Sequence, residues 1–200
     1  MRKLMMKMSI SVDGFVSGED GKMDWVFKSS DEESRAWAVG VSAEAGLIIM
    51  GRKSFHAMAP YWPSATGPFA APMNAIPKGV FTQKGYDPTS SIADKDKNLP
   101  AAASWLETRV FNGDLAEEIK ALKAGEGKPI VAIGGAEFMR NLIATGLVDE
   151  YQLAVHPVFL GKGLPILNGI TEAMDVKLIE ARSFPGGIVV HTYVPESKQA

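Results

Sequence analysis

The chain has no cysteine and only three histidines, and these scarcities exclude several kinds of site. Without cysteine there is no disulfide framework, no thiolate nucleophile and no zinc site with cysteine ligands. Because His56, His156 and His191 are not spaced as metal ligands, we expect no metal site. The formal net charge is only −2, and no polybasic run occurs. We therefore expect a small molecule, rather than a nucleic acid or a membrane surface, as the binding partner.

Long apolar segments are missing as well. No stretch approaches the ~18 consecutive apolar residues of a membrane-spanning helix. The first residues lack the apolar core and the cleavage site of a secretory signal, so we expect a cytoplasmic protein. With 200 residues, 46% of them hydrophobic, the chain can form one sizeable core, and we expect a single domain over residues 1–200.

The most informative stretch runs from residue 128 to residue 143. Residues 130–133 are wholly apolar, which is typical of a strand buried on both faces in the middle of a parallel sheet. Gly134 and Gly135 follow, and then apolar residues recur at helical spacing. A glycine turn before a helix suits a phosphate, because backbone N–H groups are free at the helix start. A tight turn with nothing bound explains the same pattern, and both interpretations remain open.

A second unit of the same kind lies earlier in the chain. Residues 46–50 predict a buried strand, and Gly51 leads into a short helix that starts with Arg52, Lys53 and Ser54. This unit carries two cations and a hydroxyl group at the end where a phosphate could bind.

The remaining pattern predicts an α/β fold. We expect strands at residues 4–12, 79–82, 108–111 and 149–158, and a hairpin formed by residues 176–184 and 188–194. Capping signals near Asp31 and Asp114 predict helix starts. Residues 13–25 are glycine-rich, which is typical either of a mobile lid or of an ordinary connection. Segments 59–77 and 87–104 are expected to be largely irregular. Together these elements give a mixed, mostly parallel sheet with an antiparallel edge.

Four motifs in this order resemble a known family. They are SVDGFV (residues 11–16), IIMGRKSF (48–55), IGGA (133–136) and HPVFLGKG (156–163). The chain is similar to the dihydrofolate reductase-like superfamily, specifically to the reductase domain at the C-terminus of the bifunctional deaminase–reductase of riboflavin biosynthesis. The resemblance implies a three-layer α/β/α fold with an eight-stranded, mostly parallel sheet and an antiparallel C-terminal hairpin. It also implies a homodimer.

The resemblance further implies an NADPH-dependent reductase that transfers a hydride to a small heterocyclic or sugar-derived substrate, as the 5-amino-6-(5-phosphoribosylamino)uracil reductase does. NADPH would lie along the carboxyl ends of the central strands, and residues 17–25 would cover the nicotinamide. The implied cofactor-binding residues are Val16, Gly51, Arg52, Lys53, Ser54, Thr82, Gln83, Lys84, Gly134, Gly135 and Ala136. For the substrate pocket we expect Trp25, Trp37, Phe55 and Met58, although aromatic residues at these places could equally be core.

Two departures from the family pattern affect the expected chemistry. Glu137 stands where many dihydrofolate reductases have a cation, and Arg35 lies near the place of their single catalytic acid. The candidate catalytic residues are therefore Asp13, Asp31 and Glu33, each of which could instead be a turn or helix-start residue. Our hypothesis is that the protein orients the reactants and excludes water, with a proton taken from solvent.

Three alternatives remain open at this stage. The protein could be a dihydrofolate reductase proper, a catalytically inactive nucleotide-binding protein, or a structural dimer with an empty glycine turn.

Overall fold

The computed structural model describes residues 1–167 and 172–196. Within them, eight strands form one sheet in the order β5-β4-β3-β6-β1-β7-β10-β9, and a two-stranded sheet joins β2 to β8. The strands are β1 (Leu4–Ser11), β2 (Phe15–Ser17), β3 (Leu47–Gly51), β4 (Lys78–Phe81), β5 (Arg109–Phe111), β6 (Ile130–Ala132), β7 (Glu150–His156), β8 (Leu164–Pro165), β9 (Val176–Ser183) and β10 (Val189–Pro195). Neighbouring strands from β5 to β7 pair in parallel, whereas β10 is antiparallel to both β7 and β9.

The helices connect these strands. They are α1 (Trp25–Lys28), α2 (Glu32–Ala43), α3 (Arg52–Met58), α4 (Ala70–Ala75), α5 (Ala103–Leu106), α6 (Leu115–Ala124) and α7 (Ala136–Ala144), with short 3-10 turns at Trp62–Ser64, Pro88–Ser91 and Pro100–Ala102. In the part of the chain that the structure describes, none of the helices is long and apolar enough to cross a membrane.

Strand β6 lies inside the sheet and is buried on both faces. All three of its residues are buried, and it pairs with β3 on one side and with β1 on the other. The mid-sheet prediction from its continuous apolar run is therefore confirmed.

Two apolar cores lie on opposite faces of the sheet. One core joins Ile119 of α6 and Met139 of α7 to the even-numbered side chains of β1. The other joins Phe55 of α3, Met73 of α4 and Trp105 of α5 to buried residues of β3 and β4. Helices thus cover both faces of the sheet, and the expected three-layer α/β/α fold with an antiparallel hairpin is confirmed.

The strand and helix predictions fail mainly where elements are short. The structure adds β2 within the segment expected to be a loop and begins α1 at the last residue of that segment. It also adds α4 within one segment expected to be irregular and α5 at the end of the other. These added elements have only three to six residues, which is too short for a clear periodicity, and packing stabilises them instead. Among the described α-helices, α2 and α6 have side-chain N-caps, and they begin next to the predicted residues Asp31 and Asp114.

Candidate functional site

The two glycine turns lie side by side at one edge of the sheet. Strands β3 and β6 are parallel neighbours, so their carboxyl ends meet at the same edge. There the backbone N–H of Gly51 donates a hydrogen bond to the carbonyl oxygen of Gly134, 3.2 Å away. This edge is where open α/β sheets bind ligands. The structure therefore brings together the two units that the sequence singled out.

Close packing explains why these positions are glycine. A Cβ atom added to Gly51 would lie 2.8 Å from the Cβ of Phe138, and one added to Gly134 would lie 3.1 Å from Oγ of Ser54. Gly135 has φ of +88°, which side chains other than glycine rarely allow. Peptide bonds among the described residues, including the one between these two glycines, are trans. Close packing at Gly51 and the positive φ of Gly135 thus account for these glycines with or without a ligand, while at Gly134 the contact is tight.

The helix starts at these turns have no side-chain caps. Gly135 is the N-cap of α7 and Gly51 that of α3, and neither offers a side-chain acceptor. By contrast, Asp31 caps α2 and Asp114 caps α6. Free N–H groups at the start of α7 and the positive end of its dipole suit an anionic group. The residues present therefore fit the phosphate groups of a dinucleotide.

Exposed cations flank the two helix starts. Arg52 and Lys53 are both exposed, and Arg52 makes no ion pair within residues 1–167 and 172–196. Nζ of Lys53 lies 3.8 Å from Oε2 of Glu137 in the first turn of α7. The edge therefore carries one unpaired guanidinium group beside one cation that shares its charge with a carboxylate.

The end of β4 is joined to this site by stacked rings. Phe81 stacks on Phe111 with ring centroids 4.7 Å apart and on Phe138 with centroids 5.0 Å apart. Immediately after Phe81, the Thr82 side chain accepts a hydrogen bond from the backbone N–H of Lys84. Gln83 and Lys84 are exposed, so their side chains are available at the same edge of the sheet.

The glycine-rich segment after β1 is more ordered than a free loop. Residues 15–17 pair with Leu164 and Pro165 as β2 and β8. Val16 is only 3% exposed and belongs to the core on the α6 and α7 face. Val16 is therefore an anchor for the segment rather than an open ligand-contact surface.

The four expected pocket residues have different surroundings. Trp25 meets His156 edge-on with ring centroids 5.2 Å apart, whereas Trp37 of α2 packs against Phe184. Met58 borders the glycine turn, since its Cε lies 3.9 Å from the place of a Cβ on Gly134. Phe55 is fully buried between Tyr86 and Trp105, which leaves it no surface for a ligand.

His156 is a site candidate that the sequence did not single out. It lies at the carboxyl end of β7, beside Ser11 at the end of β1, and only 2% of it is exposed. Its Nδ1 is 2.8 Å from Oγ of Ser29. Burial lowers its pKa to about 4, so the ring is neutral at pH 7. The alternation of residues 149–158 was the signal that could have placed it at this edge.

Lys7 is a second candidate site residue. Nothing in the sequence indicated it apart from its position in the predicted strand β1. Its Nζ donates to the carbonyl oxygen of Ala38 in α2, 2.9 Å away, and lies 5.2 Å from the Trp37 ring. Burial lowers its pKa to about 8. It has no ion-pair partner among the described residues. Lys7 thus joins β1 to α2 through a half-buried ammonium group with a backbone partner.

The candidate acids already have structural hydrogen bonds. Asp13 accepts from Oγ of Ser11 and from backbone N–H groups of residues 160 and 161, and the Ser11 bond is the main cause that lowers its pKa. Asp31 accepts from the backbone N–H groups of Ser34 and Gly186, and the Ser34 bond chiefly lowers its pKa. Glu33 is exposed in the first turn of α2. These three carboxyl groups do not form a catalytic pair in the structure.

Comparisons with known proteins agree with this geometry. A model of the RibD C-terminal domain matches residues 2–190. The uncharacterized protein YyaP of Bacillus subtilis is 28% identical over 192 residues, covering 96% of this chain and 94% of YyaP.

Two solved structures share the fold. A protein of Shewanella sp. PV-4, assigned provisionally to riboflavin biosynthesis, superposes with a TM-score of 0.75 at 17% identity, covering 98% of this chain and 99% of that one. A diaminohydroxyphosphoribosylaminopyrimidine deaminase/5-amino-6-(5-phosphoribosylamino)uracil reductase of Thermotoga maritima gives a TM-score of 0.65 at 12% identity, covering 98% of this chain and 57% of that one. At these identities the two likenesses establish the fold alone.

Proposed function

The chain belongs to the RibD C-terminal domain family, and from this premise we propose that it is a cytoplasmic, NADPH-dependent reductase acting on a small heterocyclic or sugar-derived substrate. A riboflavin-pathway-like reductase is the function that the family supports. The observation that carries the cofactor proposal is the pair of uncapped helix starts at Gly51 and Gly135 on adjacent strands, flanked by the exposed Arg52.

The proposed cofactor residues divide into two groups. Gly134, Gly135 and Ala136 would hold the pyrophosphate with backbone N–H groups at the start of α7. Arg52, with Lys84 after β4, would bind the 2′-phosphate of the adenosine, since a guanidinium group forms paired hydrogen bonds with phosphate oxygens. The full proposed set is Gly51, Arg52, Lys53, Ser54, Thr82, Gln83, Lys84, Gly134, Gly135 and Ala136. Val16, expected in this set from the sequence, is buried and would anchor the adjoining segment instead of contacting the cofactor.

When bound, NADPH supplies a hydride to the substrate. The protein's own contribution would be positional: the glycine turns would hold the cofactor phosphates, and Met58, which borders the turn at Gly134, would line the site beside them. Trp25 and the neutral ring of His156 would form the wall at the ends of β1 and β7. Residues 17–25 would cover the nicotinamide and exclude water from it.

We propose solvent as the proton source. Asp13 and Asp31 are each occupied by hydrogen bonds that favour the ionised carboxylate. A carboxylate with a lowered pKa is a poor general acid at neutral pH. Arg35, near the place of the acid in dihydrofolate reductases, is exposed and donates to the carbonyl oxygen of Ser30. This arrangement favours a substrate other than dihydrofolate.

Fluorescence titration with NADPH and with NADH tests the cofactor proposal. We expect NADPH to bind, and Arg52→Ala to weaken that binding by about tenfold or more, as the loss of a charge-assisted hydrogen bond predicts. NADH affinity should change much less, because NADH lacks the 2′-phosphate. Arg109→Ala is the matched control, since Arg109 is an exposed arginine at the amino end of β5, opposite the glycine turns. Failure of both nucleotides to bind would overturn the reductase proposal.

Turnover assays then separate the candidate functions. NADPH oxidation with 5-amino-6-(5-phosphoribosylamino)uracil supports the riboflavin-pathway substrate, and oxidation with dihydrofolate supports a dihydrofolate reductase proper. Nucleotide binding without oxidation across carbonyl and pteridine substrates supports a nucleotide-binding protein that has lost catalysis.

We also propose a homodimer through the edge strand β9. Every residue of β9 is exposed, including Val176, Leu178 and Ile179, which are 38%, 49% and 52% exposed. An exposed edge strand of eight residues that carries three large apolar side chains invites pairing with another copy. Sedimentation should give twice the chain mass, and Ile179→Lys should yield monomers. A monomeric wild type at micromolar concentration would contradict this part of the proposal.

A further inference from the structure

Two distant segments, residues 12–23 and residues 157–167, are joined along most of their length. We name them together the paired-loop unit. The backbone N–H of Val12 donates to the carbonyl oxygen of Val158 at 2.9 Å, and that of Ile166 donates to the carbonyl oxygen of Gly14 at 3.2 Å. Beyond Gly14, Phe15 pairs with Pro165 and Ser17 pairs with Leu164 in the two-stranded sheet. The glycine-rich segment therefore has a partner strand of its own.

Asp13 makes the central connection of the paired-loop unit. Its Oδ2 accepts hydrogen bonds from the backbone N–H groups of Leu160 at 3.1 Å and of Gly161 at 2.7 Å. Its Oδ1 accepts from Oγ of Ser11 at 2.6 Å, and Ser11 Oγ in turn accepts from the backbone N–H of Phe15. Ser11, at the end of β1, thus orients the Asp13 carboxylate, and the carboxylate in turn fixes the backbone of Leu160 and Gly161.

Contacts farther from β1 connect the outer parts of the two segments. Oε2 of Glu19 and Nζ of Lys162 form an ion pair at 2.7 Å. Gly163 approaches the backbone of Ser17 so closely that an added Cβ would meet its carbonyl oxygen. At the base, Val16 and Ile166 are 3% and 4% exposed and belong to one core. The base is thus anchored, while the outer part is held chiefly by contacts between the two segments.

We propose that the paired-loop unit is one composite lid, with Asp13 as the positioning residue that makes the two segments move together. This inference rests on the proposed function, in which residues 17–25 cover the nicotinamide. Movement of the first segment over the cofactor would carry residues 157–163 with it into the wall of the site. Asp13 acts through the lid and not on the reacting atoms. The inference explains why the first and last of the four motifs, SVDGFV and HPVFLGKG, occur together.

Hydrogen exchange of the ligand-free protein tests the connection directly. Asp13→Ala should speed amide exchange in residues 14–19 and in residues 158–163 together, by about tenfold or more in both, because one shared carboxylate stabilises both. Asp20→Ala is the matched control, since Asp20 bonds Lys22 within the first segment. The control should affect residues 18–22 alone. Faster exchange in one segment only, or in neither, would overturn the inference.

A cross-link tests whether the segments separate during cofactor release. Because the chain has no cysteine, Glu19→Cys with Lys162→Cys provides a unique thiol pair for a bismaleimide reagent. If the unit moves as one body, the linked and unlinked forms of this variant should release NADPH at rates within about twofold of each other. Release slowed more than tenfold by the cross-link would mean that the segments must part, and would overturn the proposal. Asp13→Ala should release NADPH several-fold faster than wild type.

The two proposals can fail separately. A wild type that binds no NADPH would overturn the reductase proposal, while hydrogen exchange in the ligand-free protein still decides whether Asp13 couples the segments. NADPH binding with uncoupled exchange would overturn the composite lid alone.

Discussion

Nζ of Lys53 and Oε2 of Glu137 face each other 3.8 Å apart across the first turns of α3 and α7. Both side chains are largely exposed, so the pair contributes little to stability. Its position matters more, because it lies at the edge where the proposed cofactor phosphates would bind. A carboxylate there lowers the local positive potential.

Glu137→Gln should therefore tighten NADPH binding. Removing the negative charge from the first turn of α7 should gain about two- to fivefold in affinity at low ionic strength, equivalent to ~0.3–1 kcal/mol. The gain should shrink as salt is added. Glu44→Gln, a change at an exposed residue next to the C-terminal end of α2, should leave the affinity unchanged. Weaker NADPH binding in Glu137→Gln would mean that the carboxylate contacts the cofactor favourably.

Gly51→Ala should damage both stability and cofactor binding. The added methyl group would lie 2.8 Å from the Cβ of Phe138, so the two glycine turns would have to move apart at a cost of about 1–3 kcal/mol. Chemical unfolding and NADPH titration measure the two effects. Gly40→Ala is the control, because nothing lies within 4 Å of its added Cβ in α2. That control should stabilise the protein by up to about 1 kcal/mol.

Asp31→Ala should lower the free energy of unfolding but leave the NADPH affinity of the folded protein unchanged. Asp31 caps α2 through the Ser34 N–H and also holds the hairpin through the Gly186 N–H, at 2.8 and 2.6 Å. Asp114→Ala removes only the cap of α6. The loss of unfolding free energy should thus be about twice as large for Asp31→Ala, because two bonds are lost rather than one. Loss of turnover with stability intact would instead point to a catalytic carboxylate.

His156 should make stability fall in mild acid. Burial lowers its pKa from 6.5 to about 4, so the unfolded chain takes up the proton first as pH falls. The loss of stability caused by His156 is absent above pH 6.5 and grows as pH drops from 6.5 to about 4. His156→Gln should therefore give a flatter dependence of the unfolding free energy on pH in that window. Equal slopes in both proteins would contradict a buried neutral imidazole.

Much of the fold could be predicted from local patterns. The apolar run at residues 130–133 predicted a strand inside the sheet, and β6 lies between β3 and β1. The capping residues Asp31 and Asp114 marked two helix starts correctly. These signals succeed because side-chain periodicity and capping act within a few residues of the chain.

The arrangement of the site depended on distant contacts. Phe55 was expected at a pocket but packs beneath Tyr86 and Trp105, since an aromatic residue on a helix suits a core equally well. The sequence left open whether Asp13 is a catalytic or a turn residue. Two of its three hydrogen-bond partners lie 147 and 148 positions away, and only Ser11 is local. The pairing of Trp25 with His156 likewise had no local signal.

The sequence by itself determined the eight strands of the main sheet, the longer helices and the two glycine turns. Only the tertiary structure decided that the turns share one edge, that His156 is buried beside Ser29, and that the glycine-rich segment is tied to residues 157–167. The physical reason is that burial and hydrogen bonding between remote segments arise from the packing of the whole chain. Periodicity specifies which face of an element is apolar, but it does not specify which element will cover that face.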